Sequence, residues 1–463
     1  MVRRMRRALA LLVVVLVPAP AAVASPNVVV IETDDQTVAD LAAMPQTRAL
    51  IGDAGVTFTR SFVSLSECCP SRATFLTGQY AHNHGVLSNE LPFGGFTRLR
   101  GAETLPVWLE RAGYATGLVG KYLNGYGRGD RYLVPPGWTD FEGLLGPFTY
   151  RFYGFTMNVN GALETTQLDY QTDAITERAV NFVQRSAGRP FFLWTTYVAP
   201  HAGGPTELED PVAYKSTVAA PRHFGAFAGA PLPRPPSFNE VDVSDKPPLI
   251  RNRPRLAPRQ IAALTETRRQ RLASLLAVDE GVARIVETLR ETGALESTVV
   301  IVTSDNGFMA GEHRVPSGKM LAYEPSIRVP LLVRGPGIPA GSRRDDLVWN
   351  GDLAPTILAL AGAHPAFPLD GRSLFAPPDP RRAILLEGPA APRTLGLPRF
   401  AGLRTRRYKY IEHLRGAREL YDLRRDPYEL ANLARLPRMA GVKAQLGRRL
   451  ARLRGCAGAS CLR

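Results

Sequence analysis

Two pairs of oxygen-bearing residues, Asp34-Asp35 and Asp305-Asn306, each follow a run of apolar, largely β-branched residues. They offer carboxylate and amide oxygens, the ligands that hard cations such as Ca²⁺ and Mg²⁺ take, and no run in the chain has the spacing of a zinc site. Either pair alone reads as a turn or a helix cap; two pairs at equivalent strand ends read as a metal centre. A second group is cationic. Lysine occurs six times against 51 arginines, so Lys121 and Lys319, each beside other polar chemistry, stand apart from surface filler. With Arg72 they make a candidate anion cage, because arginine meets a tetrahedral oxyanion through its planar fork and lysine as a point charge. His201 is a candidate proton donor. Cys68 opens the run Cys68-Cys69-Pro70-Ser71-Arg72. Pro70 suits the first turn of a helix, which puts Cys68 at a helix N-terminus, where free N–H groups and the dipole favour an anion.

Four strand-like runs deliver these residues. Residues 27–33 lead to Asp34-Asp35, 114–120 to Lys121, 191–198 to His201 and 298–304 to Asp305-Asn306. Continuous β-branched runs of this length suit strands buried on both faces. Between them lie helical stretches, notably residues 258–292, where Leu272, Leu275, Leu276, Val282 and Ile285 recur at helix spacing. Strands alternating with helices predict a largely parallel sheet covered on both sides, with functional groups beyond the carboxyl ends of the strands. All six polar residues then surround one crevice. The proline-rich segment 202–255 lacks clear periodicity and reads as a rim over that crevice or as plain solvated loop.

Residues 1–24 combine arginines, a short apolar run and the sequence Ala22-Val23-Ala24, which reads as a cleaved export signal. No later stretch is apolar and long enough to span a bilayer, so the mature protein is expected to be exported, to the periplasm or the medium. The formal charge of +15 would suit polyanionic partners, yet the charge is scattered along the sequence and no nucleic-acid module is present. Four cysteines permit three pairings. Cys456 and Cys461 share a short C-terminal loop and are expected to join, which leaves Cys68 and Cys69 unpaired, since a vicinal disulfide is strained.

The run from Cys68 to Gly78, C-x-P-S-R-x-x-x-L-T-G, resembles the signature of the type I sulfatases. In that family the first cysteine is oxidised to Cα-formylglycine, whose hydrate is the nucleophile. The resemblance implies a metal held by Asp34, Asp35, Asp305, Asn306 and the residue derived from Cys68. It also implies catalytic roles for Arg72, Lys121, His201 and Lys319. Ca²⁺ is the implied ion, with Mg²⁺ as the alternative; a formylglycine-generating enzyme is the implied maturation partner, and a sulfate ester the implied substrate. The stretches Arg328-Val329-Pro330, Asp352-Leu353-Ala354-Pro355-Thr356 and Glu419-Leu420-Tyr421-Asp422 are similar to the same family. The implied fold is alkaline-phosphatase-like: an α/β/α sandwich, residues 25–375, then a small antiparallel-sheet subdomain, residues 376–463. Many arylsulfatases carry a histidine two positions after the lysine, whereas this chain has Lys121-Tyr122-Leu123-Asn124. That departure, the doubled cysteine, Asn83-His84 and Pro135-Pro136-Gly137-Trp138 are similar to the N-acetylglucosamine-6-sulfatase and heparan endosulfatase branch. Sugar sulfates become the expected substrates, and Asn83, His84, Asn124 and His313 candidate pocket residues. The alternatives are a phosphate or phosphonate ester hydrolase of the same fold, and a non-catalytic secreted binder of sulfated glycans.

Overall fold

Val28, Val29, Val30 and Ile31 are all fully buried, and their side chains alternate between two separate cores. Val29 and Ile31 face Leu275, Val278, Val282 and Ile285 of the long helix Pro258–Glu291. Val28 and Val30 face Phe75 and Leu76 of the helix Cys68–Thr77, with Trp108 and Ile357. Helices therefore cover both faces of the sheet, and each such side chain contributes about 1.5–3 kcal/mol relative to exposure. This computed structural model describes residues 25–206, 210–211, 213–390 and 399–462. The expected export signal, residues 1–24, lies outside the described residues.

In chain order the strands are β1 (Asn27–Thr33), β2 (Val56–Phe58), β3 (Ser61–Phe62), β4 (Ala115–Gly120), β5 (Asp140–Leu144), β6 (Phe155–Val159), β7 (Ala162–Thr166) and β8 (Phe191–Thr196). They continue as β9 (Thr298–Ser304), β10 (Leu331–Arg334), β11 (Ser342–Arg344), β12 (Val348–Trp349), β13 (Ala383–Glu387), β14 (Phe400–Thr405), β15 (Tyr408–His413) and β16 (Arg418–Asp422). The central sheet has ten strands in the order β11-β2-β10-β9-β1-β8-β4-β5-β6-β7. From β9 through β5 every pair is parallel. The four strands read from the sequence as carrying chemistry, β9, β1, β8 and β4, are adjacent at its centre. Their ends are level, with Thr33 opposite Ser304, and Thr196 opposite both Glu32 and Gly120. Residues that follow these strands must emerge on one edge.

The second sheet, β13-β14-β15-β16, is antiparallel. The helix Ala440–Leu453 packs Leu446, Leu450 and Leu453 into the same core as Ile384, Leu403 and Ile411. Phe62, Val63, Ile327 and Trp349 of the larger body join that core, so the small sheet is built onto the large one. Cys456 and Cys461 form a disulfide; Cys68 and Cys69 are free and buried.

Candidate active site

The helix Cys68–Thr77 is buried at every residue and stops at Gly78, where φ is +65°. A Cβ there would meet Leu369 at 3.0 Å, and the left-handed conformation is one that glycine adopts without cost. Cys68 thus opens the helix beneath the strand ends. Its Sγ donates to Asp34 Oδ1 at 3.3 Å and accepts from Lys319 Nζ at 2.9 Å. Lys121 Nζ pairs with Asp34, and Lys319 Nζ with Asp35. His201 Nε2 lies 3.7 Å from Asp35 Oδ2. One ligand atom from each of Asp34, Asp35, Cys68 and His201 lies within 4.8 Å of the others.

One turn along the helix, Arg72 is wholly buried. Its Nε donates to Asp305 Oδ2 at 2.8 Å and its Nη1 to the Lys121 carbonyl at 2.8 Å, while Glu32 lies 3.7 Å away. Its Nη2 is buried with no acceptor, a donor left over for an anion. Asp305 Oδ1 accepts from the Asp35 N–H at 3.3 Å, and Asn306 Nδ2 donates to Asp35 Oδ1 at 2.5 Å. The Asn306 side-chain oxygen, Oδ1, is buried and has no partner. Three carboxylates with an orphaned amide oxygen are a donor set that fits a hard divalent cation.

The charges perturb one another strongly. Burial pushes the Asp34 carboxyl up, but Lys121, His201, Lys319 and Arg72 more than offset it and hold the group well below the usual carboxylate range. Burial pulls both lysines down, yet Asp34 and Asp35 keep them firmly protonated. Burial, then the charge of Asp34, pushes the Cys68 thiol up, so the unmodified side chain is a thiol and a weak nucleophile. Burial raises Glu32 to about 7 despite Arg72.

The structure gathers Asp34, Asp35, Cys68, Arg72, Lys121, His201, Asp305, Asn306 and Lys319 at one centre. Asn124 reaches it indirectly, donating to the Tyr150 hydroxyl at 3.0 Å. The other three pocket candidates are engaged elsewhere. Asn83 donates to Asp370 and to the Cys456 carbonyl. His84 Nδ1 accepts from the Val86 N–H at 3.1 Å, so its Nε2 carries the proton and donates to Thr74 at 3.1 Å. His313 meets Glu240 at 2.6 Å and packs on Tyr323. Sequence reading missed Tyr150, whose ring stacks on His201 with centroids 4.5 Å apart and faces Lys121 Nζ at 4.8 Å. It also missed Arg271, which donates to the backbone carbonyls of Asp35 and Pro200 and clasps two strand ends together.

The family model described as Sulfatase matches residues 26–363, and that described as N-sulphoglucosamine sulphohydrolase, C-terminal, matches residues 311–455. The chain belongs to the sulfatase family. It is an enzyme that hydrolyses sulfate esters, on the alkaline-phosphatase-like fold of the type I sulfatases. This sulfatase is 35% identical to an arylsulfatase of Volvox carteri, over 100% of this chain and 79% of that protein. It is 36% identical to the N-acetylglucosamine-6-sulfatase of Homo sapiens, over 73% of this chain and 61% of that enzyme's length. A solved structure of a protein in complex with its substrate, D-glucosamine-2-N,6-O-disulfate, superposes with a TM-score of 0.78 at 25% identity, covering 92% of this chain and 97% of the other.

Proposed function

We propose that this sulfatase acts on O-sulfated amino sugars, with a formylglycine at position 68 and Ca²⁺ at Asp34, Asp35, Asp305 and Asn306. The observation that carries the chemistry is the setting of Cys68: the first residue of a buried helix, 2.9 Å from Lys319 and 3.3 Å from Asp34. The substrate class rests on the amino-sugar relatives and on the tyrosine, leucine and asparagine that follow Lys121.

An aldehyde hydrate at position 68 supplies a hydroxyl nucleophile, with a second hydroxyl for releasing sulfate by elimination. A divalent cation in this donor set supplies positive charge to the sulfuryl oxygens. The chain's own side chains do the rest. Arg72 Nη2 and the Lys319 and Lys121 ammonium groups bind and orient the sulfate, and they stabilise the charge that builds on its oxygens. His201 donates from Nδ1 to the Ala202 carbonyl at 2.6 Å, so Nε2 is the nitrogen that faces the centre. Protonated to the imidazolium, His201 also holds a proton on Nε2 and gives it to the departing sugar oxygen as the S–O bond breaks. Tyr150 holds the imidazole in that orientation through its stacked ring. A formylglycine-generating enzyme matures Cys68. Export is proposed as well, supported by the basic and apolar leader and by the Cys456–Cys461 disulfide, which suits an oxidising compartment. Among the described residues no helix is long and apolar enough to cross a membrane.

Peptide mass spectrometry on the purified protein tests the nucleophile: conversion of Cys68 removes about 18 Da from its peptide. The converted enzyme should turn over glucosamine 6-sulfate and nitrophenyl sulfate, and Cys68→Ala should abolish both while leaving the circular dichroism unchanged. Substantial activity in Cys68→Ala, or faster turnover of nitrophenyl phosphate than of the sulfate, would sink this reading.

A further inference from the structure

At the junction of the two sheets a cavity of about 530 Å³ is lined by six arginines: Arg60, Arg328, Arg404, Arg406, Arg407 and Arg424. One carboxylate, Glu324, shares its wall. Arg404 pairs with Glu324, Arg407 with Asp422, and Arg60 and Arg406 share Asp345. Among the described residues, Arg328 and Arg424 have no carboxylate within 4.0 Å. Six guanidinium groups against three carboxylates leave three positive charges uncompensated. Two buried guanidinium nitrogens, Arg60 Nη1 and Arg328 Nε, have no acceptor. Burial, and then the neighbouring Arg406, pulls the Arg60 guanidinium down, a sign of the positive field in the cavity. Arginine is common in this chain, but composition alone does not bring six of them to one cavity and leave their donors unused.

The cavity's position relates it to the catalytic centre. It shares Glu324, Arg328 and Pro427 with a second cavity of about 500 Å³. That cavity shares Phe308 with a third, of about 380 Å³, lined by Asp35, His201 and Lys319. The middle cavity offers Phe308, Tyr428 and four prolines, an apolar surface on which sugar faces can rest. Each volume lies within the range typical of ligand sites.

We propose that the arginine cavity is a second anion subsite, which binds a sulfate group of an extended sulfated glycan whose reacting sulfate occupies the centre at Cys68. The inference rests on the sugar-sulfatase reading and sharpens it: the substrate is an oligosaccharide with more than one sulfate, and the far sulfate contributes to affinity. The ligand chemistry follows from the donors, since planar guanidinium forks match sulfate oxygens in pairs. The middle cavity's apolar walls favour a glycan over nucleic acid.

The test compares the converted wild-type enzyme with the Arg406→Ala/Arg424→Ala variant, both positions being outside the catalytic centre. On glucosamine 6-sulfate, kcat/KM should stay within about twofold, while on a multiply sulfated heparan tetrasaccharide it should fall about tenfold, the loss of one or two charge-assisted hydrogen bonds, mostly through KM. The variant should elute from immobilised heparin at lower salt, and Arg406→Lys/Arg424→Lys should recover part of the retention. Equal tetrasaccharide kinetics and equal heparin elution in variant and wild type would overturn the subsite. So would displacement from heparin by single-stranded DNA as readily as by heparan fragments, which would reveal a general polyanion surface. If the converted wild-type enzyme turns over neither sugar, the sugar-sulfatase reading fails, and the heparin measurement still decides the arginine site by itself.

Discussion

Lys409 sits on β15 with no exposure, its Nζ 2.8 Å from Glu324 and 2.6 Å from Glu429. Arg404 also holds Glu324, with Nε at 2.8 Å. Burial pushes Glu324 up, but Arg404 and Lys409 more than offset it and hold the carboxyl far below its ordinary 4.5. Lys409→Met keeps the length of the side chain and removes the charge. At an effective dielectric constant of about 20, each ammonium–carboxylate contact is a gross attraction of about 6 kcal/mol, most of it offset by desolvation. Removing one partner of a buried pair costs about 3–5 kcal/mol, because the remaining charge stays in the interior without compensation. We therefore expect Lys409→Met to lower the unfolding free energy by about 3–5 kcal/mol in urea titrations followed by circular dichroism. Adding Glu429→Gln removes the carboxylate left without a cation and should recover about 1–2 kcal/mol. The pH dependence has a definite sign. A carboxyl depressed in the folded state stabilises fully above its unfolded value and loses that contribution as pH falls. The gap between wild type and Lys409→Met should therefore narrow below pH 4.5. A loss under about 1 kcal/mol, the size of an exposed ion pair, would refute the reasoning, as would a double variant no more stable than the single one.

Three further outcomes are expected. Burial lowers the His84 imidazole from 6.5 to about 3, so its stabilisation is complete above 6.5 and is lost as pH falls; wild type should lose about 2 kcal/mol more than His84→Gln between pH 7 and pH 5, and parallel pH profiles would contradict this. Chelation of the proposed cation should lower the thermal midpoint, and refilling at one hundred times Kd should restore about 2.7 kcal/mol; a midpoint independent of Ca²⁺ or Mg²⁺ concentration would remove Asp34, Asp35 and Asp305 as ligands. Tyr150→Leu should lower kcat/KM about two- to tenfold, in line with the 0.5–1.5 kcal/mol of a stacked ring pair, while Tyr150→Phe stays near wild type. Wild-type kinetics in Tyr150→Leu would leave His201 positioned by something else.

The strand ends were legible because burial on both faces demands short runs that are apolar throughout or nearly so, and a polar residue just beyond such a run is conspicuous. Asp34, Lys121, His201 and Asp305 all carry that mark. The small antiparallel sheet was legible only through the family resemblance. Tyr150 and Arg271 carried no mark. One lies in a short turn, Phe148–Tyr150, and the other within a long amphipathic helix, and only the folded chain brings them to the centre. His84 and Asn83, expected as pocket residues through the resemblance to the sugar-sulfatase branch, lie apart from the centre. Both make internal hydrogen bonds, His84 with Thr74 and Val86, Asn83 with the Cys456 loop. The arginine cavity was invisible because residues 60, 328, 404, 406, 407 and 424 are spread over most of the chain, where they read as scattered charge.

The small sheet lies away from the strand ends, yet it governs the cation nearest Cys68. Lys319 is carried on a segment with little regular structure of its own, apart from the single turn Glu324–Ile327. A residue so placed is only as well positioned as the contacts behind it. Those contacts come from two directions. The segment leading into the catalytic helix holds it through the Ser66 carbonyl on the Met320 N–H, the Ser66 hydroxyl on Ser326, and the Val63 N–H on the Ile327 carbonyl. The small sheet and the loop after it hold the other side: Tyr323 donates to Glu419 at 2.8 Å, Glu324 accepts from Arg404 and forms an ion pair with Lys409, and the Glu324 N–H donates to Glu429 at 2.8 Å. Lys319 is thereby fixed between the chain that bears Cys68 and the sheet that closes the fold. An error of 1 Å in such a cation can cost about a hundredfold in rate. The buried charges around Lys409 are thus more than a stability device: they hold the segment that presents Lys319, so Lys409→Met should also lower kcat at temperatures where the variant remains folded. Full kcat in that folded variant would show that the contacts from Val63 and Ser66 are sufficient without the sheet.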